Sequence, residues 1–266
     1  MPNHAPNPST FLPAVRPIAL DQPLHWLVLG WKDMAHSPLL SMGHGLFMAV
    51  WGAVLAWLAH DRFWLLASAV SGFMVIAPVL ATSLYAMSRA IERDEDVNFH
   101  LLVSTWTQWQ FKLRLQPDSY WSLIRFGLLL AVAATGWVLT SSALITLLAA
   151  LPIHTPMDFI RHVVLSTDNY LFELWLALGG LMAAPMFASS VVSMPLLLDR
   201  RVSVLQAVLT SWKTVLTHPV QMALWAFLIM GFTLLGILSL FLGLLFVVPM
   251  LGHASWHAYR DLIDTS

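Results

Sequence analysis

The sequence predicts an all-α fold: a polytopic membrane helix bundle, with six transmembrane helices as three hairpin repeats and amphipathic interfacial helices on the cytoplasmic side. Three observations lead there. Of the 266 residues, 58% are hydrophobic and 10% charged, with a mean hydropathy of +0.73; a soluble domain needs about 25% charged residues to face water. No charged residue falls between Lys213 and Arg260, a run long enough for two crossings, since about 20 helical residues span the hydrocarbon core. Folding that run into a hairpin also sorts the basic residues onto one side of the membrane.

The chain opens with "MPNHAPNPSTFLPAVRP", rich in Pro and Asn and without an apolar core. Residues 1–20 therefore read as a disordered tail rather than a cleaved signal peptide, and 21–266 as a single membrane domain. In "DQPLHWLVLGWKDMAHSP", Leu24, Leu27, Val28 and Trp31 share one helical face, with Lys32 and Asp33 beside it. This is the pattern of a helix lying on the membrane surface; a plain helix extension capped by solvent is the alternative. "RRVSVLQAVLTSWKTVLTHP" repeats the arrangement with Val204, Leu205, Val208 and Leu209. Trp31 and Trp212 are read as anchors at the headgroup level.

The spans are placed at 38–59, 63–88, 124–150, 170–196, 219–236 and 239–259. The first two are joined at His60-Asp61-Arg62, the last two at Gly236-Ile237-Leu238-Ser239. Between Arg89 and Arg125 lies the longest polar stretch, an acidic "RAIERDED" read as a solvated turn, then an aromatic and basic segment (Trp106, Trp109, Lys112, Arg114) suited to anionic headgroups. "LPIHTPMDFIRHVVLSTDN" is the sizeable loop of the far side.

The first and last units share landmarks. A Trp-Lys pair stands seven residues before a proline in each, Trp31-Lys32 before Pro38 and Trp212-Lys213 before Pro219. Each also places a proline eleven residues before an arginine, Pro78 before Arg89 and Pro249 before Arg260. Ala184-Pro185 resembles Ala77-Pro78, which makes the middle pair a more divergent third copy. With six crossings, Arg16, Lys32, Arg89, Arg93, Lys112, Arg114, Arg125, Arg200, Arg201, Lys213 and Arg260 fall on one side, and Arg62 and Arg161 on the other. The positive-inside rule then puts both termini in the cytoplasm.

"APVLATSLYAMSRAIER" (77–93), "SVVSMPLLLDR" (190–200) and "VVPMLGHASWHAYRDL" (247–262) resemble the bacterial predicted integral membrane proteins of the domain of unknown function 2189 family. The resemblance runs from about Arg16 to Leu262 and is weakest between Asn98 and Tyr120. It implies a six-span inner-membrane protein with no assigned reaction. Some members carry the label "putative cytochrome c oxidase subunit", but this chain lacks the set of well-placed histidines that a haem–copper catalytic subunit requires.

Three histidines are the candidates for chemistry. His44 lies six residues inside the first span and His253 seven inside the last, each about 10 Å deep at 1.5 Å per residue. His257 shares a helix face with His253. If the first and last spans are neighbours, the imidazoles meet in one layer and form a metal, haem or proton site. The alternative is that each bonds a backbone carbonyl, Tyr85 or a serine, while the adjacent glycines let helices pack closely. The second is preferred, because an i,i+4 histidine pair without a helical glutamate or a third carboxylate is a poor metal motif.

Arg89 and Arg260 are read as snorkelling anchors, and Pro78, Pro185 and Pro249 as helix kinks. Glu173 and Asp168 shape an outer vestibule or cap a helix in water. The methionines and tryptophans are scattered, which fits packing and anchoring.

The absence of cysteine excludes disulfides and thiolate chemistry. Net charge −1 argues against nucleic acid as a partner, and no phosphate loop or catalytic-triad spacing is present. The expected function is a non-enzymatic accessory, assembly or scaffold role, with membrane lipid, a membrane-protein partner or a second copy of the chain as partners. No cofactor is expected. A small transporter or channel, and a haem- or metal-binding respiratory component, are the alternatives.

Overall fold

The computed structural model describes residues 12–105, 117–166, 170–200 and 202–264, with the side chains of 67–80 and 117–124 outside the description. Helices dominate: α1 (Gln22–His36), α2 (Pro38–Leu58), α3 (Phe63–Glu92), α4 (Pro117–Leu148), α5 (Pro156–Phe159), α6 (Leu171–Ser190), α7 (Ser193–Asp199), α8 (Val204–Thr217), α9 (Pro219–Leu238) and α10 (Leu244–Leu262). Among the described residues four segments are long and apolar enough to cross a membrane: Pro38–Leu58, Arg125–Leu148, Leu171–Asp199 and Pro219–Leu238. The second half of α10 carries His253, His257, Arg260 and Asp261, which dilutes its hydropathy. The predicted surface segment Trp106, Trp109, Lys112 and Arg114 lies outside the described residues, as do Asp168 and Arg201.

Proline sets two of the helix junctions. A residue before proline is pushed out of the helical region, and proline is at home in a helix's first turn because it has no N–H to satisfy there. Ser37 (φ −128°, ψ 64°) accordingly separates α1 from α2, and His218 (φ −126°, ψ 57°) separates α8 from α9.

α1, α2 and α8 are turned inside out relative to the helices of a soluble protein. On α1, Leu24, Val28 and Trp31 are exposed while Trp26, Gly30 and Asp33 face the interior. On α8, Leu205, Leu209 and Trp212 are exposed while Thr210, Ser211 and Thr214 are fully buried. α2 turns Leu46, Phe47, Val50 and Trp51 outward. In lipid there is no hydrophobic gain from packing helices together, so small residues, shape and hydrogen bonds hold the interfaces, and apolar faces look out.

The last apolar run does fold back on itself, a few residues later than predicted. Gly236 stays within α9, where its missing Cβ leaves room for Leu244, whose Cδ2 would stand 2.6 Å from it. The reversal falls at Leu240 and Phe241, both with positive φ, 56° and 67°. Ser239 Oγ ties it by donating to the Gly236 carbonyl (2.8 Å) and accepting from Gly243 N–H (2.7 Å).

Part of the expected tail is described. Residues 1–11 lie outside the described residues, but the segment leading into α1 is pinned to the end of α10. Val15 bridges Ile263, Arg16 N–H donates to the Leu262 carbonyl (2.8 Å), and the Arg16 side chain pairs with Asp264 at 2.7 Å.

At the opposite end of the bundle Thr155 caps α5 through a capping box, and Phe159 stacks on Phe63 and meets Trp175 edge-on. The main core gathers around Trp26, Trp225, Trp256 and Tyr259 at the other end.

Candidate functional site

The site lies where α1, α2 and α3 converge on the C-terminal half of α10. Glycines allow this approach. A Cβ on Gly30 would run into the Met250 carbonyl oxygen and Ala254, one on Gly45 into the Leu245 backbone, and one on Gly252 into Leu84. Asp33 follows Gly30 by three residues and Ser41 precedes Gly45 by four, so each shares its glycine's helix face. The close backbone contact therefore brings both polar side chains onto α10.

There they meet a closed set of partners. Asp33 Oδ2 accepts from Ser88 Oγ at 2.7 Å and from His257 Nε2 at 2.8 Å. Ser88 Oγ stands 2.7 Å from His253 Nδ1, and Ser41 Oγ 3.0 Å from His253 Nε2. A serine hydroxyl has one proton. Ser88 gives its proton to Asp33, so it must accept from His253 Nδ1–H. In the neutral ring Nε2 is then the acceptor, and Ser41 O–H is its donor. The chain of bonds thus has one direction, from Ser41 through His253 and Ser88 to Asp33, with His257 joining from the other side.

Ser41 and His253 are 0% exposed, Ser88 1% and Asp33 7%. Burial opposes the charge on Asp33, but the bonds from His257 and Ser88, with both imidazoles close by, outweigh it and hold the carboxyl below its ordinary range. Five polar groups from four helices satisfy one another here. Among the described residues no buried side-chain nitrogen or oxygen is left without a partner.

A second layer surrounds the first. Asp261 Oδ2 accepts from Trp26 Nε1 (2.7 Å) and Gln22 Nε2 (2.6 Å). Glu92 accepts from Trp256 Nε1 (3.1 Å) and pairs with Arg260 (2.6 Å). Tyr259 O–H donates to Asp199 at 2.8 Å.

The first and last predicted spans are neighbours, and His253 and His257 both enter the network. His44 stays outside the hydrogen bonds although it lies within electrostatic range of His253: its Nδ1 bonds the Leu40 carbonyl of its own helix at 2.8 Å. The lone pair of a neutral His253 faces Ser41 rather than an open centre. Among the described residues no group of three or more His, Asp or Glu is disposed to hold a metal ion.

Arg260 is fixed by Glu92, while Arg89 reaches one carbonyl, that of Leu198, at 3.5 Å. Trp31 is about half exposed, and Trp212 donates from its indole to Ser189 Oγ at 2.9 Å. Pro185 and Pro249 lie inside α6 and α10; Pro78 falls in the part of α3 whose side chains are not described. Glu173 is exposed in the first turn of α6.

Sequence reasoning missed Asp33, Ser41 and Ser88 as site residues. One available signal was that Asp33 continues the Trp26–Gly30 face, the face opposite the apolar one.

Residues 65–199 match the family model described as a predicted integral membrane protein of the domain of unknown function 2189. The chain belongs to this family. No curated protein and no solved structure matches it. The family match takes in Ser88, Arg89 and Asp199 and ends before α8, α9 and α10. Family membership and the four apolar segments agree that this is an integral membrane protein.

Proposed function

We propose that this chain is a non-enzymatic accessory, assembly or scaffold protein of the bacterial inner membrane, crossing six times with both termini in the cytoplasm. The observation that carries the reading is the closure of the polar site. Ser41, His253, Ser88, Asp33 and His257 spend their hydrogen bonds on one another, so the groups best suited to chemistry act as a lock that fixes α1, α2 and α3 around α10. The outward faces of the long helices are left for lipid or a neighbouring membrane protein.

Six crossings are supported by the tight α9–α10 reversal, by the length of α3 (30 residues) and by the uneven distribution of basic residues. The matching junctions at Ser37 and His218 support an internal repeat. Accessibility tags at the two termini test the layout: both are expected to label from the cytoplasm, and periplasmic labelling of either removes it.

Gentle extraction from native membrane, followed by mass spectrometry of what co-purifies, tests the role. A membrane protein in fixed stoichiometry is the expected result. Reconstituted protein that moves a small solute and holds no partner would establish a transporter or channel instead. The haem or metal reading on His44, His253 and His257 predicts a stoichiometric metal or a Soret band that disappears in His253→Ala.

A further inference from the structure

We propose that Arg89 and Arg93, at the C-terminal end of α3, bind the phosphate of an anionic lipid headgroup. They stand one helical turn apart, so their charges lie side by side and repel. Among the described residues, Arg89 has one acceptor for its five N–H groups, the Leu198 carbonyl at 3.5 Å, and makes no ion pair. Asp199 and Glu95 are within electrostatic reach of it, yet the Asp199 carboxylate is committed elsewhere. It accepts from Tyr259 O–H at 2.8 Å and lies 3.8 Å from Arg93, whose side chain is 55% exposed. Among the described residues one carboxylate, that of Asp199, thus comes within ion-pair distance of the two adjacent guanidiniums, and only of Arg93, so most of their donors have no hydrogen-bond partner there. A phosphodiester supplies several strong acceptor oxygens of the opposite charge, and the guanidinium fork suits it.

Depth selects lipid as the source of that phosphate. Arg89 stands twenty-six residues beyond Phe63, the first residue of α3, or about 39 Å along the helix. Phe63 belongs to the opposite end of the bundle, its N–H bonded to the His154 carbonyl and its ring stacked on Phe159. The bilayer with its headgroups is about 40–45 Å thick, which puts the two guanidiniums in the headgroup layer. Arg260, the landmark counterpart of Arg89, lacks this opening because Glu92 holds it at 2.6 Å. The proposal rests on α3 crossing the bilayer and is independent of the accessory role.

Native mass spectrometry of the full chain in detergent tests it, with phosphatidylglycerol, zwitterionic phosphatidylcholine and inorganic phosphate as separate probes. Wild-type protein is expected to retain phosphatidylglycerol over phosphatidylcholine by about fivefold or more. Arg89→Gln and Arg93→Gln should each reduce that preference by about threefold, and Arg89→Lys by less, because it keeps the charge and loses the fork. Arg260→Gln should change it less than about twofold. The exposed Arg93 can be replaced without disturbing the fold, so its variant decides the matter if Arg89→Gln is unstable. Equal retention of the two lipids, or a preference untouched in Arg93→Gln, overturns the proposal. So does displacement of the lipid by inorganic phosphate, which would mark a site for a free anion. The terminus tags report crossing separately, so a failed topology and a failed lipid site are told apart.

Discussion

The units α1–α2–α3 and α8–α9–α10 begin alike. In each, a helix of 14 or 15 residues meets a proline-led long helix at one non-helical residue, with nearly the same dihedrals at Ser37 and His218. The buried faces correspond as well: Trp26, Gly30 and Asp33 on α1 stand at the same distances from Trp31-Lys32 as Ala207, Ser211 and Thr214 from Trp212-Lys213. What those faces do differs. Thr210 and Thr214 return their hydroxyls to carbonyls of their own helix, whereas Asp33 reaches across to α3 and α10. Three residues past each junction proline, Ser41 bonds His253 while Met222 lies fully buried in the apolar core with Trp225. Similar backbones thus carry an ion-centred lock in one unit and plain packing in the other.

The largest expected effect breaks the lock at its centre. Asp33→Ala strands Ser88 and His257 in a buried site and should destabilise the protein by about 3 kcal/mol or more, measured by thermal unfolding in detergent. Thr214→Val, at the corresponding position, should cost less than about 1 kcal/mol. Because the Asp33 carboxyl is held below its unfolded value of about 3.9, its contribution is complete above that pH and fades as pH falls through the lowered folded value. The stability gap between wild type and Asp33→Asn should therefore narrow on acidification below about pH 4. A gap that widens there contradicts the ionised carboxylate.

Next in size is the close helix approach. Gly45→Leu drives a side chain into the α10 backbone and should cost roughly 1–3 kcal/mol or more. Gly231, where a methyl group would meet nothing within 4 Å, should accept alanine with a change under about 0.5 kcal/mol. A double-mutant cycle on Ser41 and His253 should return a coupling of about 0.6–1.7 kcal/mol, the range of hydrogen bonds inside membrane bundles. The smallest effect belongs to Glu92→Gln. Its pair with Arg260 is about one-third exposed on both sides, so the loss should stay below about 1 kcal/mol and shrink further with added salt.

Much of the architecture was legible beforehand. The uncharged run ending at Arg260 announced a hairpin, and the Trp-Lys-Pro landmarks marked both junctions. Of the apolar faces expected on α1 and α8, Leu24, Val28 and Trp31, and Leu205 and Leu209, look outward, whereas Leu27, Val204 and Val208 are half-buried against the core. Within the expected tail, Val15 and Arg16 are held by residues nearly 250 positions away, a contact that local composition does not encode. Of the site, His253 and His257 were picked out, but their partners were not, since a serine or aspartate beside an apolar stripe has no periodic signature of its own.

Hydropathy and charge are sums over neighbouring residues, so membrane residence, helix type and the hairpin reversal were determined by the chain's order alone. Which side of each helix turns inward was not. In lipid an apolar stripe no longer marks the interior, and it was the backbone contact at Gly30, Gly45 and Gly252 that set the rotation of α1, α2 and α3 against α10. Only that rotation carries Asp33, Ser41 and Ser88 to histidines more than 160 residues further along.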